Sequence, residues 1–200
     1  MKRVSLVLSL LALLLFASCA PGALVELKPG AEELKRMSVF LSNFTEVGFF
    51  EIQDVSWLTP EDLVYFGVRH NVINNFKSRV RACAVKNCPH GKLTLEAKWV
   101  AESVKKYFDI DFKDHGDAGE PIPIHYDGKL YHFDRADGEK VYYAQVQTVS
   151  RDGNVFHFKG HLYNIKDKKD IPALFRAAAK AHTFGGKNTW ALLSMETLWN

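Results

Sequence analysis

Apolar positions along residues 31–46 (AEELKRMSVFLSNFTE) recur at steps of three and four: Leu34, Met37, Phe40, Leu41 and Phe44. That spacing predicts an amphipathic helix with one buried stripe. Thr59-Pro60-Glu61-Asp62 reads as the start of a second helix, over residues 60–76. The hydroxyl can cap free N–H groups, proline suits the first turn, and the acids favour the positive pole. Leu63, Phe66, Ile73 and Phe76 are its expected buried residues. Residues 92–108 predict a third helix, with Leu95, Trp99, Val100, Val104 and Phe108 on one face. Residues 47–57 carry large apolar side chains and read as a packed connection or a short strand.

After residue 120 the pattern turns extended. Asp127-Gly128 is a tight-turn dipeptide between residues 121–126 and 129–133. A second hairpin joins residues 141–150 to 154–163. A three-residue loop, Arg151-Asp152-Gly153, sets Thr148, Val146, Ala144 and Tyr142 opposite Phe156, Phe158, Gly160 and Leu162. It separates them from a polar face of Tyr143, Gln145, Gln147, His157, Lys159 and His161. Residues 171–182 (IPALFRAAAKAH) predict a short late helix with Pro172 in its first turn, ended by Gly185-Gly186. Residues 188–198 predict a final strand. The expected class is α+β: N-terminal helices packed on a C-terminal antiparallel β-sheet, with one late helix.

The N-terminus has a different character. Lys2 and Arg3 precede the apolar run 4–16, and Ala17, Ser18 and Cys19 follow. This is the three-part layout of an export signal. The run is about 13 residues, short of the roughly 20 that a spanning helix needs. Phe16-Ala17-Ser18-Cys19 resembles the lipobox of a bacterial lipoprotein, with Phe16 where that class usually carries leucine. The resemblance implies a signal peptide over residues 1–18, a lipidated Cys19 carrying acyl chains such as palmitate, and a tether over 19–30. Residues 31–200 would then form a single α+β domain. It also implies a chain held in the cell envelope by its N-terminal lipid. Ala20, rather than aspartate, points to the periplasmic face of the outer membrane if the source is Gram-negative. A plain secretory cut after Ala20 is the alternative, and Pro21 disfavours it. On MSVFLSNFTEVGFF, FGVRHNVINNF and the late paired strands, the body is similar to small uncharacterised bacterial lipoproteins. That similarity transfers no catalytic residue.

Composition is ordinary for a globular chain, with 47% hydrophobic and 24% charged residues. Of the formal charge of +3, Lys2 and Arg3 lie in the leader, so the body is near neutral. That excludes a strongly basic nucleic-acid binder. Arg69-His70 and Lys77-Ser78-Arg79-Val80-Arg81 read as a solvated basic helix end.

Candidate chemistry is sparse. Cys83 and Cys88 are the thiols remaining once Cys19 is lipidated, and an exported chain meets oxidising conditions, so a structural disulfide is expected. Free buried cysteines, a redox pair, or zinc held with His90 are the alternatives; the zinc set lacks a fourth ligand. His125 and His132 are expected as diagonal neighbours on the first hairpin, which makes a metal conceivable there. His157 and His161 stand about 13 Å apart along one strand, too far to share an ion. Asp109, Asp111 and Asp114 resemble part of a calcium loop, but Asp114 and Glu120 replace its glycine and glutamate. Neither Ser56 nor Ser194 sits in a nucleophile elbow.

The expectation is therefore a lipid-anchored envelope protein that binds a small polar ligand or an envelope protein partner, without chemistry, cofactor or resident metal. Its pocket would be the face of Tyr143, Gln145, Gln147, His157, Lys159 and His161, if the sheet curls. One alternative is an exported hydrolase-like enzyme using the histidines of that face. The other is a thiol-redox protein using Cys83 and Cys88.

Overall fold

The computed structural model of the chain describes residues 24–135 and 141–200. The leader, Cys19 and the start of the tether lie outside the described residues. In chain order the elements are β1 (Val25–Leu27), α1 (Ala31–Thr45), α2 (Pro60–Asn74), α3 (Phe76–Arg79), β2 (Arg81–Ala82), β3 (Leu93–Glu96) and α4 (Ala97–Phe108). Then follow β4 (Ile124–Tyr126), β5 (Leu130–Phe133), β6 (Tyr142–Asp152), β7 (Val155–Asn164), β8 (Ala173–Phe184) and β9 (Lys187–Trp199). The fold is α+β, with N-terminal helices packed on a C-terminal antiparallel sheet.

That main sheet runs β1-β6-β7-β8-β9. Met37, Phe40, Leu41 and Phe44 of α1 are buried, as their spacing predicts, together with Ala144, Val146, Phe158 and Phe175 from the sheet. Among the described residues, the first half of β6 has no strand on its outer side, because β1 pairs only with Val149–Arg151. Hydroxyls of α1 take over there. Ser42 Oγ accepts the Ala144 N–H at 3.0 Å, Ser38 Oγ accepts the Val146 N–H at 3.0 Å, and Thr45 donates to the Tyr142 carbonyl at 2.7 Å. The helix thus covers a sheet edge that would otherwise leave polar backbone groups unsatisfied.

α2 begins as expected: Thr59 and Asp62 exchange side chain–backbone bonds in a capping box. It packs on α4, and the rings of Phe44, Phe66, Tyr107 and Phe108 meet edge-on or stacked between 4.7 and 5.8 Å. A second sheet runs β2-β3-β5-β4. Its β3 takes the first residues of the stretch predicted as a third helix, so α4 starts only at Ala97.

Three expectations are corrected. The late helix is strand β8. Ala173, Phe175, Ala177 and Ala179 are buried while Leu174 and Arg176 are exposed, a period of two. Pairing with β7 on one side and β9 on the other outweighs alanine's helix propensity. Gly185 and Gly186, both at positive φ, form the two-residue hairpin turn into β9 rather than a helix stop. The β6–β7 register also differs: Asp152 pairs with Val155 and Val149 with Phe158, and an irregularity at Gln147 shifts the phase. That bulge lets Val149, Val146 and Ala144 all face the core, which an unbroken ladder cannot do. Finally, the expected tether supplies β1, so the sheet begins before residue 31.

Candidate functional site

The second sheet brings Cys83, Cys88 and His132 together. Cys83 follows β2 and its N–H bonds the Lys92 carbonyl at 2.8 Å, extending the β2–β3 ladder. Cys88 lies in the loop that returns to β3. Gly91 lets this loop lie flat on β5: its φ is +126°, and any Cβ there would overlap the Phe133 carbonyl. Residue 132 is next along β5, with Thr94 opposite it on β3 and His125 on β4. The Cys83 Sγ stands 3.6 Å and the Cys88 Sγ 3.5 Å from His132 Nδ1.

Asp127 fixes the imidazole. One carboxylate oxygen accepts the N–H groups of Lys129 and Leu130 at 2.9 and 2.7 Å, which sets the hairpin turn. The other accepts His132 Nε2–H at 2.9 Å. The Leu130 N–H, then His132 and Lys129, hold this carboxyl well below the usual carboxylate range. A proton kept on Nε2 leaves the Nδ1 lone pair facing the two sulfurs. His132 is 7% exposed and both cysteines are half-buried. At Cys83 a Val85 N–H draws the thiol pKa down. Exclusion of water, Cys88 and the charge of Asp127 together outweigh it, so the thiol lies above its ordinary value.

Beside this cluster His125 Nδ1 donates to the Asp117 carboxylate across 3.2 Å, and its ring stacks on His90 with centroids 3.8 Å apart. The His125 and His132 rings are 6.2 Å apart. His90, His125 and Asp117 line a cavity of about 600 Å³ with apolar walls from Ile122 and Ile124.

These placements revise several expectations. Cys83 and Cys88 are free thiols whose ligand atoms lie with that of His132 within 4.8 Å of one another. The third member is His132, not His90, which stacks on His125 instead. His125 and His132 pair directly rather than diagonally. The preference for a protein without chemistry is overturned by this convergence of two thiols on an oriented imidazole. Arg69 and His70 are buried, not a solvated helix end. His70 bridges Ser103 at 3.1 Å and Asn43 at 3.1 Å, and burial pushes its pKa down to about 3.

The polar face of the main sheet divides. His157 and Lys159 line a depression of about 520 Å³ with Arg176, Ser194 and Glu196. Arg176 and Glu196 are paired there at 2.7 Å. Tyr143, Gln145, Gln147 and His161 do not line it; Gln145 faces His161 across the ladder and Gln147 sits at the bulge. His157 lies between Ser150 and Ala178, neither of them an acid. The cluster of Cys83, Cys88 and His132 sits on the other sheet.

Comparison with protein-family models, with curated proteins and with solved structures gives no match. Among the described residues, no helix is long and apolar enough to cross a membrane.

Proposed function

We propose that the protein is a metal-dependent hydrolase of the cell envelope, with one zinc-class ion held by Cys83, Cys88 and His132. One observation carries the reading. Zinc bonds of about 2.3 Å to sulfur and 2.0–2.1 Å to nitrogen, at a tetrahedral angle, set S and N about 3.6 Å apart. The two S–N separations here are 3.6 and 3.5 Å. Asp127 behind His132 completes a carboxylate–histidine–metal arrangement, which fixes the tautomer and raises ligand basicity.

An ion with three protein ligands keeps a fourth position open and supplies Lewis acidity and an activated water. The chain's own residues do the rest. Cys83 and Cys88 give up their protons as ligands, and Asp127 retains the Nε2 proton of His132. His125, oriented by Asp117, borders the adjoining cavity and is placed to exchange a proton with a molecule bound there. Anchoring through a lipidated Cys19 is part of the same proposal and is supported by the lipobox resemblance.

A second reading, thiol–disulfide chemistry, is favoured by one fact: both thiols are free and adjacent. Metal content and cobalt substitution of the reduced full chain separate the two. One ion per chain and a thiolate-to-cobalt charge-transfer band are expected, both lost in Cys88→Ser and His132→Ala. Hydrolysis of a small activated ester should require the ion. A stoichiometric ion without metal-dependent turnover would remove the enzyme reading. No band, with reversible formation of one internal disulfide, would replace it by the redox reading. For the anchor, Cys19→Ser should move the chain out of the membrane fraction; retention there would refute lipidation.

A further inference from the structure

A cavity of about 460 Å³ lies between the C-terminus of α1 and the start of α2. It shares no lining residue with the thiol cluster and is independent of the reading above. Its volume falls in the range of small-molecule sites, about 300–1,000 Å³. Its walls are aromatic. Phe49 stacks on Tyr65 at 6.1 Å, and Phe50 meets Tyr142 edge-on at 6.2 Å. Glu46 and Glu120 also line it, and among the described residues no lysine, arginine or histidine does.

The electrostatics at Glu46 run against isolated stability. It is the C-cap of α1, at the negative pole of the helix, where a cation is favoured and an anion is not. No basic residue occupies the last turn of α1. Burial raises the Glu46 pKa, and the Asn74 amide at 3.1 Å only partly offsets this. Asp62 is engaged in the capping box, whereas the side-chain partner of Glu46 is the neutral amide of Asn74.

We infer that this cavity binds an alkylammonium group, with Phe49, Phe50, Tyr65 and Tyr142 as walls and Glu46 as counter-ion. Ring faces attract a cation within about 6 Å, and quaternary ammonium ligands are recognised in this way. A hard metal ion is a poor fit, because it needs six or more oxygen ligands, whereas of the carboxylates here Asp62 is engaged in the capping box and Glu46 is bonded by Asn74.

Calorimetric titration of the full chain with choline tests the assignment. The comparison ligand is choline's neutral isostere, with carbon in place of nitrogen. Choline should bind about tenfold more tightly than the isostere, with backbone amide shifts centred on residues 45–50. Glu46→Gln should weaken choline about fivefold or more, and Phe50→Leu should do likewise. Equal affinity for the isostere, or no binding by the wild-type chain, overturns the inference, and neither result depends on how a variant folds. Sedimentation of the chain on phosphatidylcholine vesicles, abolished by free choline, would assign the group to a lipid headgroup. Choline binding without vesicle binding would assign it to a free cation.

Discussion

Replacing Asp127 by asparagine tests the proposed centre at its most specific point. The wild-type carboxylate accepts three hydrogen bonds, from the Lys129 and Leu130 N–H groups and from His132 Nε2–H. Asparagine has one oxygen to accept with and one NH₂ group that only donates. Keeping the turn requires the amide oxygen to face the two backbone N–H groups. The NH₂ group then faces Nε2, which must turn from donor to acceptor. The imidazole proton moves to Nδ1, the atom 3.5–3.6 Å from both sulfurs. A protonated Nδ1 cannot ligate, so binding must first undo the tautomer.

Loss of such an outer partner typically weakens metal affinity by about 10–100-fold, or about 1.4–2.7 kcal/mol. Fold stability should change by only about 1 kcal/mol, since the turn bonds can persist. Zinc competition against a chromophoric chelator gives the first number and denaturant unfolding of the metal-free chain the second. An unchanged zinc affinity, with the hairpin amides still protected, would refute the role given to Asp127. A collapse of stability matching the affinity loss would refute the separation of turn from tautomer.

Gly91→Ala should displace the cysteine loop from β5, because its Cβ would overlap the Phe133 carbonyl. Overpacking of this kind destabilises by about 1–3 kcal/mol, and the cobalt band should weaken in the same variant; an unaltered band would refute the seat assigned to Gly91. Ser42→Ala leaves the Ala144 N–H unpaired at a buried edge, which should lower unfolding free energy by about 1–3 kcal/mol. His70 titrates near 3 in the fold through burial, against 6.5 ordinarily. The unfolded chain therefore binds the extra proton first. Stability is complete above pH 6.5 and falls by up to about 1.4 kcal/mol per pH unit as pH drops toward 3. Denaturation midpoints across that window should be flatter in His70→Gln; an unchanged slope would refute the assignment.

The sequence by itself determined whatever local spacing encodes. The stripe Leu34–Met37–Phe40–Leu41–Phe44 needs only the helical period to identify its buried face, and Thr59-Pro60-Glu61-Asp62 names a helix start because every capping group lies within one turn. Asp127-Gly128 likewise marks its hairpin from its own backbone preferences. Tertiary structure decided the rest. The alanine-rich stretch 173–184 favours helix in isolation and is a strand because β7 and β9 satisfy its backbone on both sides. A single bulge at Gln147, invisible in composition, sets which face of β6 is buried. The candidate centre lay furthest beyond local inference. Cys83 and Cys88 are near neighbours in the chain, but His132 reaches them only because β3 lies between β2 and β5 in a small sheet, and because Gly91 permits close contact. Metal-like geometry is a relation among atoms distant in sequence, and only the packed chain fixes that relation.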